Sequence, residues 1–299
     1  MKRPTKAIIT DAGFASRFLP ITKTIPKAMI PMGAKPVMQI CVEECMQAGI
    51  EEIIIVATPG GKAKEIYEDY FFNKADNVRE LLTAQGKTDR FDAVQKILDF
   101  PKITVIEQDP SLPYGNGSPI ASARKFINDD EAFVVLYSDD LIVGKDGDVK
   151  TLIEAYEQNP DAKAVIAAQE MPKSEWNRYG MIALKDAEKK TLSHIVEKPD
   201  TPDQSPSNLT SYGRYLLTTE VFDYLNPNNT GKDGELWTVD AITKLAELGD
   251  VLVVASKGKW LTTGDPKNYF MAQLEYFMET EPDWISDIKK IGYSRLDMQ

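Results

Sequence analysis

Histidine is almost missing: in 299 residues, His194 is the single imidazole. That excludes a histidine-rich metal site and any catalytic scheme built on two histidines. Its place before the apolar pair Ile195-Val196 marks it as structural. Cysteine is nearly as scarce, with Cys41 and Cys45 set at i, i+4 in an apolar-periodic segment. The spacing is not that of CxxC and no second Cys or His group lies nearby, so the pair reads as buried helix packing. No Ser-His or Cys-His pairing offers itself for nucleophilic catalysis. Basic charge is in deficit too: 35 Lys and Arg against 46 Asp and Glu leave a formal net charge of −11. A general nucleic-acid binder needs a basic face, which this balance argues against. A mononucleotide stays compatible, since it asks only for a few local cations and backbone amides. No apolar run reaches the length of a membrane span, and Met1-Lys2-Arg3 leads into a short strand instead of a signal-peptide core. The chain therefore reads as cytoplasmic.

What is present is an ordinary globular balance, 42% hydrophobic and 27% charged, on a chain long enough to bury a full core. Strand and helix signals alternate. Ala7 to Thr10 is a short buried-strand candidate followed by the turn-forming Gly13. Pro36 to Ala48 is apolar at helical spacing and stops at Gly49; Ile53 to Thr58 is an unbroken β-branched run, the mark of a strand buried on both faces. A helix over Lys62 to Tyr70, a strand over Lys102 to Glu107, a helix over Ile120 to Phe126 and a strand over Ala132 to Tyr137 continue the rhythm. Beyond Asp140 follow the helix Val149 to Gln158, the strand Ala164 to Gln169 and strand candidates near Met181 to Leu184 and Tyr212 to Leu217. The succession predicts an α/β fold, a doubly wound, mixed but mostly parallel sheet flanked by helices. Residues 75–100 interrupt it as a helical excursion with Gly86 as a break, Pro199 to Pro206 reads as a surface loop, and about 267–290 as an aromatic-rich C-terminal helical segment. No internal repeat is visible.

Ligands of open α/β sheets bind beyond the carboxyl ends of the strands. The first strand delivers the chain into Asp11-Ala12-Gly13-Phe14-Ala15-Ser16-Arg17, where small residues would let backbone N–H groups face a phosphate chain and Arg17 supplies a charged fork. Pro26-Lys27 places a lysine within reach of the same phosphates. The blocks Gly13 to Pro20 and Ile25-Pro26-Lys27-Ala28-Met29-Ile30-Pro31 resemble the G-x-G-T-R and P-K-E-M-L-P signatures of the bacterial UTP–glucose-1-phosphate uridylyltransferases. Further matching pieces are Gln108, Gly115-Asn116-Gly117, Tyr179-Gly180, Glu197-Lys198-Pro199, Ser207-Asn208-Leu209, Gly213-Arg214-Tyr215 and Glu235 with Asp240. The similarity runs from about Lys6 to about Thr280.

The resemblance implies a single Rossmann-like nucleotidyltransferase domain over residues 1–299, Mg²⁺ as cofactor, UTP and glucose 1-phosphate as substrates, and a homodimer or homotetramer. It implies that Ala12, Gly13 and Arg17 hold the triphosphate, that Lys27 neutralises it, and that Gln108 and Gly115 recognise the uracil edge. Asp139, at the end of the fourth strand, would bind the metal. Gly180, Glu197, Lys198 and Asn208 would serve the sugar phosphate. The chain departs from the family pattern at Asp11, Ala15, Ala28 and in the loop Tyr114 to Pro119. The most consequential departure is Thr262, which stands where the family has its second magnesium carboxylate. Two readings follow: a working nucleotidylyltransferase, with UTP chemistry or a shifted preference, or a nucleotide-sugar-binding regulatory paralogue with little turnover. If Ala15 requires φ > 0, its methyl group carries a cost.

Overall fold

Uninterrupted β-branched runs become the middle of the sheet, because a strand covered on both faces has no position that must be polar. The computed structural model describes residues 3–144, 147–287 and 289–290. Its main sheet contains β1 (Lys6–Asp11), β2 (Glu52–Ala57), β3 (Lys102–Glu107), β4 (Phe133–Tyr137), β5 (Ala164–Glu170), β6 (Gly180–Asp186), β7 (Thr191–Glu197), β8 (Leu209–Leu217) and β9 (Val251–Ala255). They are hydrogen-bonded in the order β3-β2-β1-β4-β8-β5-β9-β7-β6, with a further pairing of β8 and β6. The strands β3, β2, β1 and β4 are mutually parallel, as are β5 and β9. β8 runs against β4, β5 and β6, and β7 against β9 and β6. The sheet is therefore mixed, with β7 and β8 as its two reversed strands.

Side chains alternate along each strand between two cores. Ala7, Ile9, Ile53 and Ile55 pack on one face with Cys41 and Cys45 of the helix Val37–Gln47, Tyr67 of Ala63–Phe72, and Leu152 and Tyr156 of Asp148–Gln158. Ile8, Ile54 and Val56 pack on the other with Ile120 and with Ile242 and Leu245 of the helix Thr238–Leu248. Both cysteines are free and fully buried, as their spacing predicted. His194 lies exposed on β7.

The excursion expected at 75–100 consists of the helices Asp76–Ala84 and Asp92–Leu98 with a 3₁₀ turn, Thr88–Phe91, between them, and Gly86 takes φ +68° at the break. The C-terminal segment is helical over Pro266–Thr280, followed by the turn Pro282–Trp284; residue 288 and those past 290 lie outside the described residues. Among the elements that escaped the sequence reading are β7, β9 and the helix Thr238–Leu248. Another is a two-stranded ribbon pairing Asp140–Val143 with Lys259–Thr262 antiparallel, which sets Thr262 opposite Asp140.

Candidate active site

Because β1 to β4 are parallel, their carboxyl ends share one edge, and the segments leaving them form much of the wall of a cavity of about 670 Å³. β1 and the turn after it supply Asp11 to Phe14, the stretch after β3 supplies Gln108, Pro110, Leu112 and Tyr114 to Asn116, and β4 leads to Ser138 and Asp139. Lys27, Lys198, Glu235 and Trp237 also line it.

At one end the turn after β1 bends through Ala15, whose φ of 47° and ψ of 39° are left-handed. Its carbonyl accepts from Thr22 Oγ1 at 3.0 Å and from Phe18 N at 3.0 Å, which holds it there. Facing the turn, Lys27 Nζ meets Asp139 Oδ2 at 2.6 Å. Burial pulls the Lys27 pKa down, but Asp139 and Asp11 outweigh it and leave the ammonium above its usual range. Burial likewise works to raise Asp139, yet the Lys27 ammonium holds its carboxyl below the usual range. Asp11 is turned away from the turn's amides: it accepts from Tyr67 Oη and, at 2.9 Å, from Ser138 Oγ. Burial pushes its carboxyl up, with Lys27 pulling against it, which weakens the repulsion an anion would meet there.

The donor set for a cation is small. A Cβ built on Gly264 would stand 3.3 Å from Thr262 Oγ1 and 3.4 Å from Asp139 Oδ2, so both oxygens border one small space. The other carboxylates that could have replaced a missing ligand are engaged. Asp265 caps the helix Pro266–Thr280 by accepting from Asn268 N at 3.0 Å. Asp140 accepts from Trp260 Nε1 at 2.7 Å and Gly213 N at 2.9 Å, and burial with the adjacent Asp139 pushes its pKa up to about 6. Among the described residues no group of three or more His, Cys, Asp or Glu is arranged to hold a metal. One carboxylate with a hydroxyl beside it fits a cation such as Mg²⁺ that draws its other ligands from water and substrate phosphates.

The far end is built from two loops tied together. Leu236 N donates to Tyr114 O at 2.7 Å, Gly117 N to Leu236 O at 2.8 Å and Thr238 N to Asn116 Oδ1 at 2.8 Å. Gly115 takes φ +135° here, and a Cβ on it would lie 2.4 Å from Leu236 O, so no side chain fits. On the adjoining wall Lys198 Nζ lies 3.2 Å from Glu197 Oε1 and 4.6 Å from the centroid of the Trp237 ring. Burial raises the Glu197 pKa, with Lys198 opposing it. A Cβ on Gly180 would lie 2.9 Å from Glu197 Oε2, so the bare backbone of residue 180 is what lets that carboxylate approach.

A family model described as nucleotidyl transferase matches residues 6–279. The chain belongs to that family. Within it, the chain is 38% identical over 296 residues to UTP–glucose-1-phosphate uridylyltransferase 2 of Staphylococcus saprophyticus, covering 97% of this chain and 99% of that one. Among solved structures, UDP-glucose pyrophosphorylase complexed with UDP-glucose superposes with a TM-score of 0.78 at 31% identity, covering 92% of this chain and 98% of that chain. The UTP-bound enzyme of Acinetobacter baumannii gives a TM-score of 0.82 at 27% identity, covering 96% and 98%. The resemblance to bacterial uridylyltransferases read from the motifs is thereby borne out, and with it a nucleotidyltransferase fold.

Of the residues that resemblance singled out, Ala12, Gly13, Lys27, Gln108, Gly115, Asp139 and Lys198 border the one cavity. Glu197 joins them through Lys198, and Gly180 through Glu197. Arg17 sits exposed in the turn Ser16–Phe18, and Asn208 is exposed before β8, its carbonyl accepting from Met171 N at 2.9 Å; neither borders the cavity. Tyr114, Tyr137 and Trp237 border it without having been singled out. Two of these aromatics stand in Pro-, Asn- and Gly-rich loops, where no periodicity distinguishes a pocket wall from an exposed ring. Their one local signal was proximity to the matched Gly115 and Glu235.

Proposed function

We propose that this chain transfers the uridylyl group of UTP to glucose 1-phosphate, giving UDP-glucose and pyrophosphate. The observation that carries the reading is the half-buried Lys27–Asp139 pair, which lies beyond the ends of β1 and β4 beside a turn of small residues. It sits within a family whose relatives include named UTP–glucose-1-phosphate uridylyltransferases. Such a transfer depends on positioning and charge stabilisation, not on a protein nucleophile. A phosphate oxygen of glucose 1-phosphate attacks the α-phosphorus in line as the bond to the β-phosphate oxygen breaks, and pyrophosphate leaves with that electron pair. In this assignment the amides of Ala12 and Gly13 hold the triphosphate, and Arg17, exposed outside the cavity, would have to swing inward to reach it. Lys27 offsets the charge that builds on it, and Gln108 and Gly115 meet the uracil edge. Glu197 accepts sugar hydroxyls and Lys198 meets the sugar phosphate, supported by Gly180; Asn208, outside the cavity, would serve only by holding its segment through Met171 N. Asp139, with Thr262 beside it, would hold Mg²⁺, which when bound supplies positive charge to the phosphates.

The parallel strands with helices on both faces support one doubly wound, mostly parallel domain over residues 1–299. Exposed Phe270, Met271 and Met278 on the C-terminal helix support a homodimer or homotetramer. No helix among the described residues is long and apolar enough to cross a membrane, in keeping with a cytoplasmic enzyme. The deciding experiment is a matrix of four nucleoside triphosphates against several hexose 1-phosphates, read as Mg²⁺-dependent pyrophosphate release. The expected maximum is UTP with glucose 1-phosphate. Release no higher than background in every cell would leave a binding protein instead.

A further inference from the structure

Behind the cavity, out of reach of any ligand in it, lies a fully buried arginine. Arg214 sits on β8 where the strand's register breaks: Ser211 pairs with Ala168 and Tyr215 with Ile166, so three residues stand against one on β5. Such irregularities re-aim side chains and cluster near active sites. Here the break turns Gly213 N onto Asp140 Oδ2 at 2.9 Å and sends the guanidinium beneath the loop that leaves β4. Nε and Nη2 reach Glu44 of the helix Val37–Gln47, the latter at 2.8 Å. Nη1 donates to Tyr137 O at 3.2 Å and Gly213 O at 2.8 Å, and Nη2 to Asp140 O at 2.6 Å. A guanidinium carries five N–H donors in a fixed fork, and each has a partner here.

The carbonyls of Tyr137 and Asp140 flank Ser138-Asp139. Between them, Asp139 O accepts from Thr263 N at 2.6 Å and from Thr263 Oγ1 at 3.1 Å. We propose that Arg214, held by Glu44, is a positioning residue for Asp139: it grips the main chain on both sides of Ser138-Asp139 and so sets where the carboxylate stands relative to Lys27. Stability alone is a poor reason for the pair, since a buried ion pair is often matched or bettered by apolar residues of similar volume. Orientation is a better one. A lysine, with a single nitrogen and three donors, could not hold three carbonyls and a carboxylate gripped from two nitrogens at once.

The inference rests on the assignment of Asp139 to the phosphate end of the site, and the test separates the two. Arg214→Lys and Glu44→Gln are made in the full chain, with Ile242→Val, in the core of the opposite face, as a control for lost stability. Thermal unfolding, pyrophosphate release over a Mg²⁺ titration and crystal structures of both variants are measured. A displacement of about 1 Å at Ser138-Asp139 is expected, with kcat down by roughly a hundredfold. KM for glucose 1-phosphate should hold, more Mg²⁺ should be required, and Ile242→Val should keep its kcat. Folded variants with Asp139 in place and kcat unchanged would overturn the proposal, as would failure of both to fold, which would make the pair scaffold only. If the unmodified chain releases no pyrophosphate, the transfer reading falls, and the variant structures still decide the role of Arg214.

Discussion

Ala15 holds a backbone conformation that L-residues adopt at a cost, and its side chain does nothing visible to offset it. A left-handed residue is disfavoured by about 1–2 kcal/mol, of which glycine recovers part, because glycine also loses more freedom on folding. Ala15→Gly is expected to raise stability by roughly 0.5–1 kcal/mol, read by urea unfolding; a loss of stability would contradict the strain. Thr262 raises a different question, since its hydroxyl stands where a carboxylate would add charge to the space bordered by Asp139. Thr262→Asp should lower the Mg²⁺ needed for half-maximal pyrophosphate release, on the order of tenfold. An unchanged titration would place the cation elsewhere. Both residues were singled out in the sequence as departures from a family motif. The strain at Ala15 was legible because glycine at a turn has a conformational reason. The quiet resolution of Asp11 was not: it depends on Tyr67 and Ser138, far away in the chain.

At the scale of elements, what could be read ahead was what repeats locally. β1, β2 and β4 announce themselves because a strand covered on both faces needs no polar position, and the helix Val37–Gln47 because its apolar residues recur at helical spacing. β7 interleaves buried Thr191, Leu192 and Ile195 with exposed Ser193 and His194, and that broken pattern hid it. The register break in β8 left no trace, since it exists only relative to β5. The helix Val37–Gln47 also predicts how the chain responds to alkali. Burial pushes the Cys41 thiol up to about 12 from an ordinary 9.0, so above pH 9 the unfolded chain releases a proton that the folded one keeps. Stability therefore falls as pH rises from about 9, by about 1.4 kcal/mol per unit for that thiol. Cys41→Ala should flatten the slope of unfolding free energy between pH 9 and 10; identical slopes would contradict a buried, protonated thiol. For the helix Pro266–Thr280 the cap is decisive. Asp265→Ala should cost about 1 kcal/mol in denaturant unfolding while leaving the Mg²⁺ titration where it was. A weakened Mg²⁺ response would make Asp265 a ligand after all.

Across the whole molecule, ligands that bind the native state alone must stabilise it. With UDP-glucose at a hundred times its dissociation constant the gain is about 2.7 kcal/mol, which for a chain of this size raises Tm by about 5 °C. Differential scanning calorimetry checks this, and no shift at saturating UDP-glucose would remove the nucleotide-sugar pocket from the account. The two ends of that pocket differ in how free they are to change. Added side-chain bulk at Gly13 would touch nothing within 4 Å, whereas at Gly115 it would strike the backbone of Leu236. The loops around Gly115 and Leu236 are laced together, so neither can drift without breaking bonds to the other. In evolutionary terms, the end assigned to the base is locked at Gly115 by backbone contacts that no change of side chain at Leu236 relieves, while the end assigned to the phosphates can be explored one substitution at a time. A lineage under relaxed selection would thus accumulate its novelties first in the turn after β1.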